Sequence, residues 1–318
     1  MGTTTVEANN LGKRFKDTAA LEGFDLTAEA GTVLGLLGPN GAGKTTTVRI
    51  LTTLLRFDTG SAAVAGFDVA RDARQVRRRI GLTGQQTAVD DLLTARQNLV
   101  LFGKLFRLNK TRAGERADQL LAQFGLADAA DRQAKGFSGG MKRRLDLAAS
   151  MILAPQVLFL DEPTTGLDPA GRREVWDAVE GLAADGTTVV LTTHYLDEAD
   201  RLCDRIAVID HGRNLVDDTP AGLKRRIGAD RLEIVAADPS DLPVLEGIIA
   251  AVADGDTAVD EGASSVSGPV KEPVAALTAA ATSVRDKRLT VADIGLRRPT
   301  LDEAFLELIG TTAKEDQQ

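Results

Sequence analysis

The chain is poor in the residues that build metal clusters, disulfides and aromatic platforms. It has one cysteine, two histidines, one tryptophan and one tyrosine in 318 residues. A single cysteine, Cys203, cannot form an internal disulfide, and the periodicity around it predicts a buried small hydrophobe on an amphipathic helix from Tyr195 onward. So few histidines and cysteines predict no transition-metal cluster. No apolar run approaches the roughly 18 residues needed to span a bilayer. The beginning, Met1-Gly2-Thr3-Thr4, lacks the basic-then-apolar form of a secretory leader. Basic excess is missing too: 38 Lys and Arg stand against 46 Asp and Glu, for a net charge of −8. That balance argues against a nucleic-acid partner. Three local basic groups, Arg74/Arg77/Arg78/Arg79, Lys142/Arg143/Arg144 and Lys224/Arg225/Arg226, are read as solvated helix faces, with anionic lipid or a membrane-protein loop as the sharper alternative. The remaining composition, 43% apolar, is that of a globular cytosolic protein long enough for two cored domains.

What is present is a set of phosphate-handling motifs. Gly38-Pro39-Asn40-Gly41-Ala42-Gly43-Lys44-Thr45, followed by Thr46, fits the Walker A pattern. Val33–Leu37 before it reads as a buried strand. Lys44–Leu55 after it reads as a helix with Val48, Leu51, Leu54 and Leu55 on one side. Glycines let successive N–H groups surround a β-phosphate, and a helix N-terminus adds partial positive charge. Lys44 would reach the β- and γ-phosphates, and the Thr45 hydroxyl would ligate Mg²⁺. Far downstream, Val157-Leu158-Phe159-Leu160-Asp161-Glu162 is an apolar strand ending in two carboxylates. Asp161 would hold Mg²⁺, and Glu162 would act as general base on the attacking water. Between the two lies Phe137-Ser138-Gly139-Gly140-Met141, with Ser138 placed to cap a helix over Gly139–Leu153. These residues together imply binding of a nucleoside triphosphate with magnesium.

The ordered set resembles the ATP-binding subunit of an ATP-binding cassette (ABC) transporter, over roughly residues 5 to 220. The resemblance implies an α/β fold: a P-loop ABC-type nucleotide-binding domain, with a RecA-like core and a helical subdomain, plus a small α+β C-terminal accessory domain. By the same resemblance Phe15 stacks on adenine where the family usually has tyrosine. Gln85 is the Q-loop glutamine touching Mg²⁺ and water, with Gln86 as a competitor, and Asp168 belongs to the D-loop. His194 contacts the γ-phosphate. Ser138, Gly139 and Gly140 act in trans on ATP held by a second subunit, so a homodimer is implied. Met141 departs from the usual glutamine, but the Ser138 cap and the glycine N–H groups remain, so activity is expected.

Residues 1–226 are assigned to the ATP-binding domain, with its helical insert at about 86–154, and 227–318 to the accessory domain. Thr219-Pro220-Ala221-Gly222 marks the approach to the boundary. Within the insert, helices are expected at Glu115–Phe124 and Gly139–Leu153. Asp168-Pro169 should open a helix running to about Ala184. Strands are expected at Thr187–Thr193, Arg205–Ile209, Arg231–Ala236 and Arg288–Ile294. Helices are expected at Leu242–Val252 and Val274–Ser283, with 255–269 a hairpin or mobile loop. Near the end, Thr300 and Glu303 form a capping box ahead of a stripe of Leu301, Ala304, Phe305 and Leu308, expected to bury against the domain's own strands.

Arg297-Arg298-Pro299-Thr300-Leu301-Asp302-Glu303-Ala304-Phe305-Leu306 and Thr192-Thr193-His194-Tyr195-Leu196-Asp197-Glu198-Ala199-Asp200 resemble the antibiotic-resistance branch typified by daunorubicin exporters. That implies a separate polytopic permease, a peripheral position on the cytoplasmic membrane face, and efflux of a drug, antibiotic or other small amphipathic molecule. A system moving lipid or other cargo, an importer and a regulatory ATPase without transport stay open. A soluble ABC protein of DNA repair or the ribosome would want paired cassettes, a coiled coil or zinc-binding cysteines.

Overall fold

The computed structural model describes residues 4–85, 87–226, 230–297, 300–303 and 305. Two compact units are separated between Pro220 and Ala221.

The first unit runs in the order β1 (Thr4–Phe15), β2 (Thr18–Glu29), β3 (Val33–Leu37), α1 (Lys44–Leu51), β4 (Thr59–Val64), β5 (Phe67–Asp68), α2 (Ala73–Val76) and β6 (Ile80–Thr83). It continues with α3 (Ala95–Leu105), α4 (Lys110–Gln123), α5 (Gly139–Ser150), β7 (Val157–Asp161), α6 (Pro169–Ala184), β8 (Thr188–Thr193), α7 (Leu196–Leu202), β9 (Arg205–Asp210) and β10 (Arg213–Asp218). A four-stranded sheet has the order β2-β1-β4-β5, and a six-stranded sheet the order β10-β9-β3-β8-β7-β6. Strands β9, β3, β8, β7 and β6 are parallel. Every residue of β3, β7 and β8 is buried, which is why they read as continuous apolar or β-branched runs rather than alternating ones. Phe24 and Leu26 of β2 pack in one core with Leu34, Leu36, Phe159, Val190 and Ile209.

Register decides function here. Leu37 stands opposite Thr193, Asp161 opposite Thr192, and Thr83 opposite Leu160. Four parallel strands therefore end together, and the segments that follow β3, β6, β7 and β8 meet at one sheet edge, where α/β proteins bind ligands.

The segment from residue 87 to 154 is mainly helical. Thr94 accepts from Gln97 N and completes a capping box on α3, and Asn109 caps α4. Helix α4 starts five residues earlier than its apolar spacing suggested, because Asn109 supplies the cap. Helix α1 ends at Leu51 rather than Leu55. Thr52 turns its hydroxyl onto Val48 O and Thr53 takes φ +66°, so Leu54 leaves the apolar face and is 64% exposed.

Helix α8 (Pro220–Arg226) leads into the second unit of β11 (Arg231–Ala236), α9 (Leu242–Ala250), β12 (Ala258–Asp260), β13 (Ser265–Pro269), α10 (Pro273–Asp286) and β14 (Val291–Arg297). Its sheet order is β12-β13-β11-β14, all antiparallel, so the βαββαβ chain forms a ferredoxin-like layer of the expected α+β class. Leu232 and Ile234 of β11 pack with Leu245, Ile248 and Ile249 of α9 and Ala276 and Ala280 of α10. The segment expected as hairpin or loop is the β12–β13 hairpin, and β14 begins at Val291, three residues after the expected Arg288. Thr300 Oγ1 accepts from Glu303 N at 3.3 Å while Thr300 N donates to Glu303 at 2.8 Å, the reciprocal pattern of a capping box. Arg297 grips the same Glu303 with two bonds of 3.0 Å. Leu301 is buried; Ala304 and Leu308 lie outside the described residues, as do Arg298, Pro299 and Leu306.

Candidate nucleotide-binding site

The turn after β3 cannot be built from ordinary residues. Gly43 caps α1 at φ +115°, and a Cβ there would lie 2.7 Å from Ala20 O. Gly43→Ala should cost about 2 kcal/mol and lower the unit's thermal midpoint by roughly 4–8 °C, with a parallel loss of nucleotide affinity. Calorimetry and an ATP titration check this; an unchanged midpoint would contradict the left-handed turn. With the turn in place, the N–H groups of Gly43, Lys44, Thr45 and Thr46 find no protein acceptor among the described residues. Four donors converging at a helix N-terminus suit a phosphate.

Lys44 is 5% exposed, and its Nζ donates to Gly38 O at 2.7 Å and Pro39 O at 3.0 Å. Burial pulls its pKa down, while Glu162 and Asp161 oppose the shift. The two carboxylates thus help keep a buried ammonium charged until an anion arrives. Asp161 accepts from Thr192 Oγ1 at 2.6 Å and lies 3.3 Å from Thr45 Oγ1. Hard oxygens at this spacing, beside a phosphate cradle, are the donor set that Mg²⁺ takes.

Glu162 follows β7 with φ +50°, a costly backbone for a side chain of its size. Its N–H is held by Thr192 O and Thr192 Oγ1, both at 3.1 Å. His194 Nδ1 stands 3.5 Å from Glu162 Oε1, and Thr165 Oγ1 donates to Oε2 at 3.3 Å. Asn40, Gly41, Gly43, Lys44, Thr45, Thr46, Gln85 and Glu162 line one cleft of about 220 Å³. Ala42 is buried beneath the loop. Phe15 is 47% exposed, with Lys13 Nζ 5.6 Å from its ring centre. Gln86 lies outside the described residues.

Ser138 and Gly139 do not join that cleft. They line a separate one of about 320 Å³ with Gly166, Leu167, Asp168 and Gly171. Ser138 accepts from Met141 N at 3.2 Å as the cap of α5, and Asp168 accepts from Gly171 N at 2.8 Å as the cap of α6. The two helices touch so closely that a Cβ on Gly140 would come within 3.0 Å of Gly171 Cα.

Several buried charged groups escaped the reading of the sequence, Arg143, Asp146 and Glu198 among them. Arg143, grouped with its neighbours on a solvated face, is instead 4% exposed and donates to Pro163 O and Gly84 O, both at 2.7 Å. Lys142 and Arg144 pair with Asp91 and Glu174. The apolar period of α5 holds a clue, since Arg143 shares a helical face with Leu147. Glu198 of α7 is fully buried, accepts from Thr164 Oγ1 at 2.8 Å and Trp176 Nε1 at 3.0 Å, and has its pKa raised by burial against those bonds.

Residues 21–165 match the family model described as ABC transporter. The chain is 59% identical over 315 residues, 98% of each chain, to Daunorubicin resistance ATP-binding protein DrrA2 of Streptomyces coeruleorubidus. It is 47% identical to Daunorubicin/doxorubicin resistance ATP-binding protein DrrA of Streptomyces peucetius, over 98% of this chain and 94% of that one. It is 42% identical to Nod factor export ATP-binding protein I of Burkholderia lata, over 76% of this chain and 80% of the relative. A solved ATP-binding subunit of an ABC transporter superposes with a TM-score of 0.62 at 26% identity, covering 70% of this chain and 92% of that one.

Proposed function

The chain belongs to the ABC transporter family, among ATP-binding subunits of the drug-resistance type, and on that premise we propose that it drives efflux of a drug, antibiotic or other small amphipathic molecule through a separate polytopic permease. It is an ABC-type ATPase of the P-loop α/β class. The observation that carries the reading is the shared sheet edge, where Lys44, Asp161, Glu162, Gln85 and His194 converge.

Phe15 takes the adenine face, and the loop from Gly38 to Thr46 takes the phosphates through Lys44 and the free N–H groups. Thr45, Asp161 and Gln85 would hold Mg²⁺, which when bound neutralises charge developing on the transferred phosphoryl group. Glu162 accepts the proton of the attacking water, and His194, 3.5 Å away, orients its carboxylate and donates toward the γ-phosphate. The separate cleft around Ser138, Gly139 and Asp168 supports a second copy of the chain as partner, each covering the other's nucleotide with its signature residues. A groove of about 270 Å³ between Leu54, Leu82 and Phe106, all exposed, supports a permease segment docking beside Gln85. Among the described residues no helix is long and apolar enough to cross a membrane; a peripheral position on the cytoplasmic face would come from that permease.

The drug-resistance relative DrrA2 matches over 98% of this chain and the Nod factor export relative over 76% of it, which favours the drug reading of the cargo. Cells expressing this chain with its permease should accumulate several-fold less daunorubicin than cells carrying the Lys44→Ala form. Equal accumulation in the two would reject the cargo assignment, and wild-type protein without Mg-ATP turnover would reject the transport role altogether.

A further inference from the structure

Helix α5 is capped by Ser138 and carries, five residues or about 7.5 Å beyond that cap, the buried guanidinium of Arg143. Arg143 is not a support for its own helix. Its Nη1 donates to Gly84 O at 2.7 Å, its Nε to Pro163 O at 2.7 Å, and its Nη2 reaches Asp161 O at 3.5 Å. Asp146, one turn on, lies 3.4 Å from Nη1 and accepts from Ala88 N at 3.0 Å. The pair therefore holds the chain on both sides of Gln85, at Gly84 and Ala88, and on both sides of Glu162, at Asp161 and Pro163. Both members are desolvated: burial lowers the Arg143 pKa and raises that of Asp146, each opposed by the other's charge.

We propose that Arg143, fixed by Asp146, is a positioning residue that ties the signature helix to Gln85 and Glu162, so that engagement at Ser138 aims the water-activating groups of the same chain. The inference rests on the ATPase reading and on the partner copy. Its physical basis is the cost of parting the contacts. Gly84 O and Pro163 O are carbonyls of irregular segments, and a shift of α5 without them would strand buried polar groups. The segments must follow the helix. Only a planar fork with several donors can serve these carbonyls and the Asp146 carboxylate together; a lysine ammonium in the same place reaches fewer of them.

The test uses the full chain with Arg143→Lys, the double variant Arg143→Met/Asp146→Leu, and Glu162→Gln as control. The double variant exchanges the ion pair for apolar groups of similar size, an exchange that buried pairs often tolerate. A fluorescent ATP analogue reports affinity, steady-state turnover gives kcat, and emission of the single Trp176 reports the fold. Both variants should bind the analogue within about threefold of wild type and lose at least about tenfold in kcat, since small misplacements of reacting groups cost that much or more. Wild-type kcat in either folded variant would overturn the proposal. So would affinity and kcat falling together, or failure of both variants to fold, because the pair would then only hold the unit together. Wild-type turnover that ignores Glu162→Gln would instead remove the ATPase premise, and this inference with it.

Discussion

Glu162→Gln should lower steady-state ATP turnover by at least about 100-fold while ATP binding stays within a few fold of wild type. The amide cannot accept the water's proton, yet it fits the same volume, and the backbone N–H remains on Thr192. Lys44, Asp161 and the four N–H groups of the loop keep their places, so affinity is spared. Because the γ-phosphate now persists, the variant should also accumulate as a two-chain species with Mg-ATP, disperse with ADP, and do so at equal protein concentration. Light scattering after size exclusion reads this directly. A strictly monomeric variant at saturating Mg-ATP would count against the partner copy, and a variant with normal turnover would remove Glu162 from the reaction.

Lys44→Ala should fail one step earlier. Its ammonium sits buried in a loop built to present it, and the substitution removes that charge from opposite the phosphates while Asp161 and Glu162 remain. The negative charge of the two carboxylates would then be offset less well where the phosphates bind. The rate constant for free enzyme and free ATP, kcat/KM, should fall by about 1,000-fold or more, or about 4 kcal/mol of transition-state stabilisation. Unlike Glu162→Gln, this variant should also lose affinity for the fluorescent analogue and form no nucleotide-dependent pair. Trp176 emission and the thermal midpoint should change little, because the Lys44 side chain packs against loop carbonyls rather than in the hydrophobic core. Retained turnover would dismantle the mechanism at its first contact.

Much of the site was readable because its residues do their work through local backbone. The Walker A glycines, the Ser138 and Asp168 caps and the Thr300–Glu303 box are each settled within a few residues. The all-buried strands β3, β7 and β8 announce themselves as apolar runs. The misreadings share a cause. Leu54 fits the helical period of α1, but a threonine hydroxyl and a left-handed Thr53 end the helix first. Arg143 looks like one member of a basic run, yet its partners lie 59 residues before it at Gly84 and 20 after it at Pro163. No local pattern encodes an acceptor that far away.

By itself, then, the order of residues determined the nucleotide chemistry and the α/β class, since phosphate loops, helix caps and strand periodicity are local consequences of side-chain type. Tertiary structure alone decided which groups meet. Parallel register brought Gln85, Glu162 and His194 to one edge with Lys44, and close crossing of α5 and α6 kept Ser138 in a cleft of its own. The burial of Arg143 and Glu198 belongs to that second category, because desolvation and long-range hydrogen bonding exist only once distant segments are packed together.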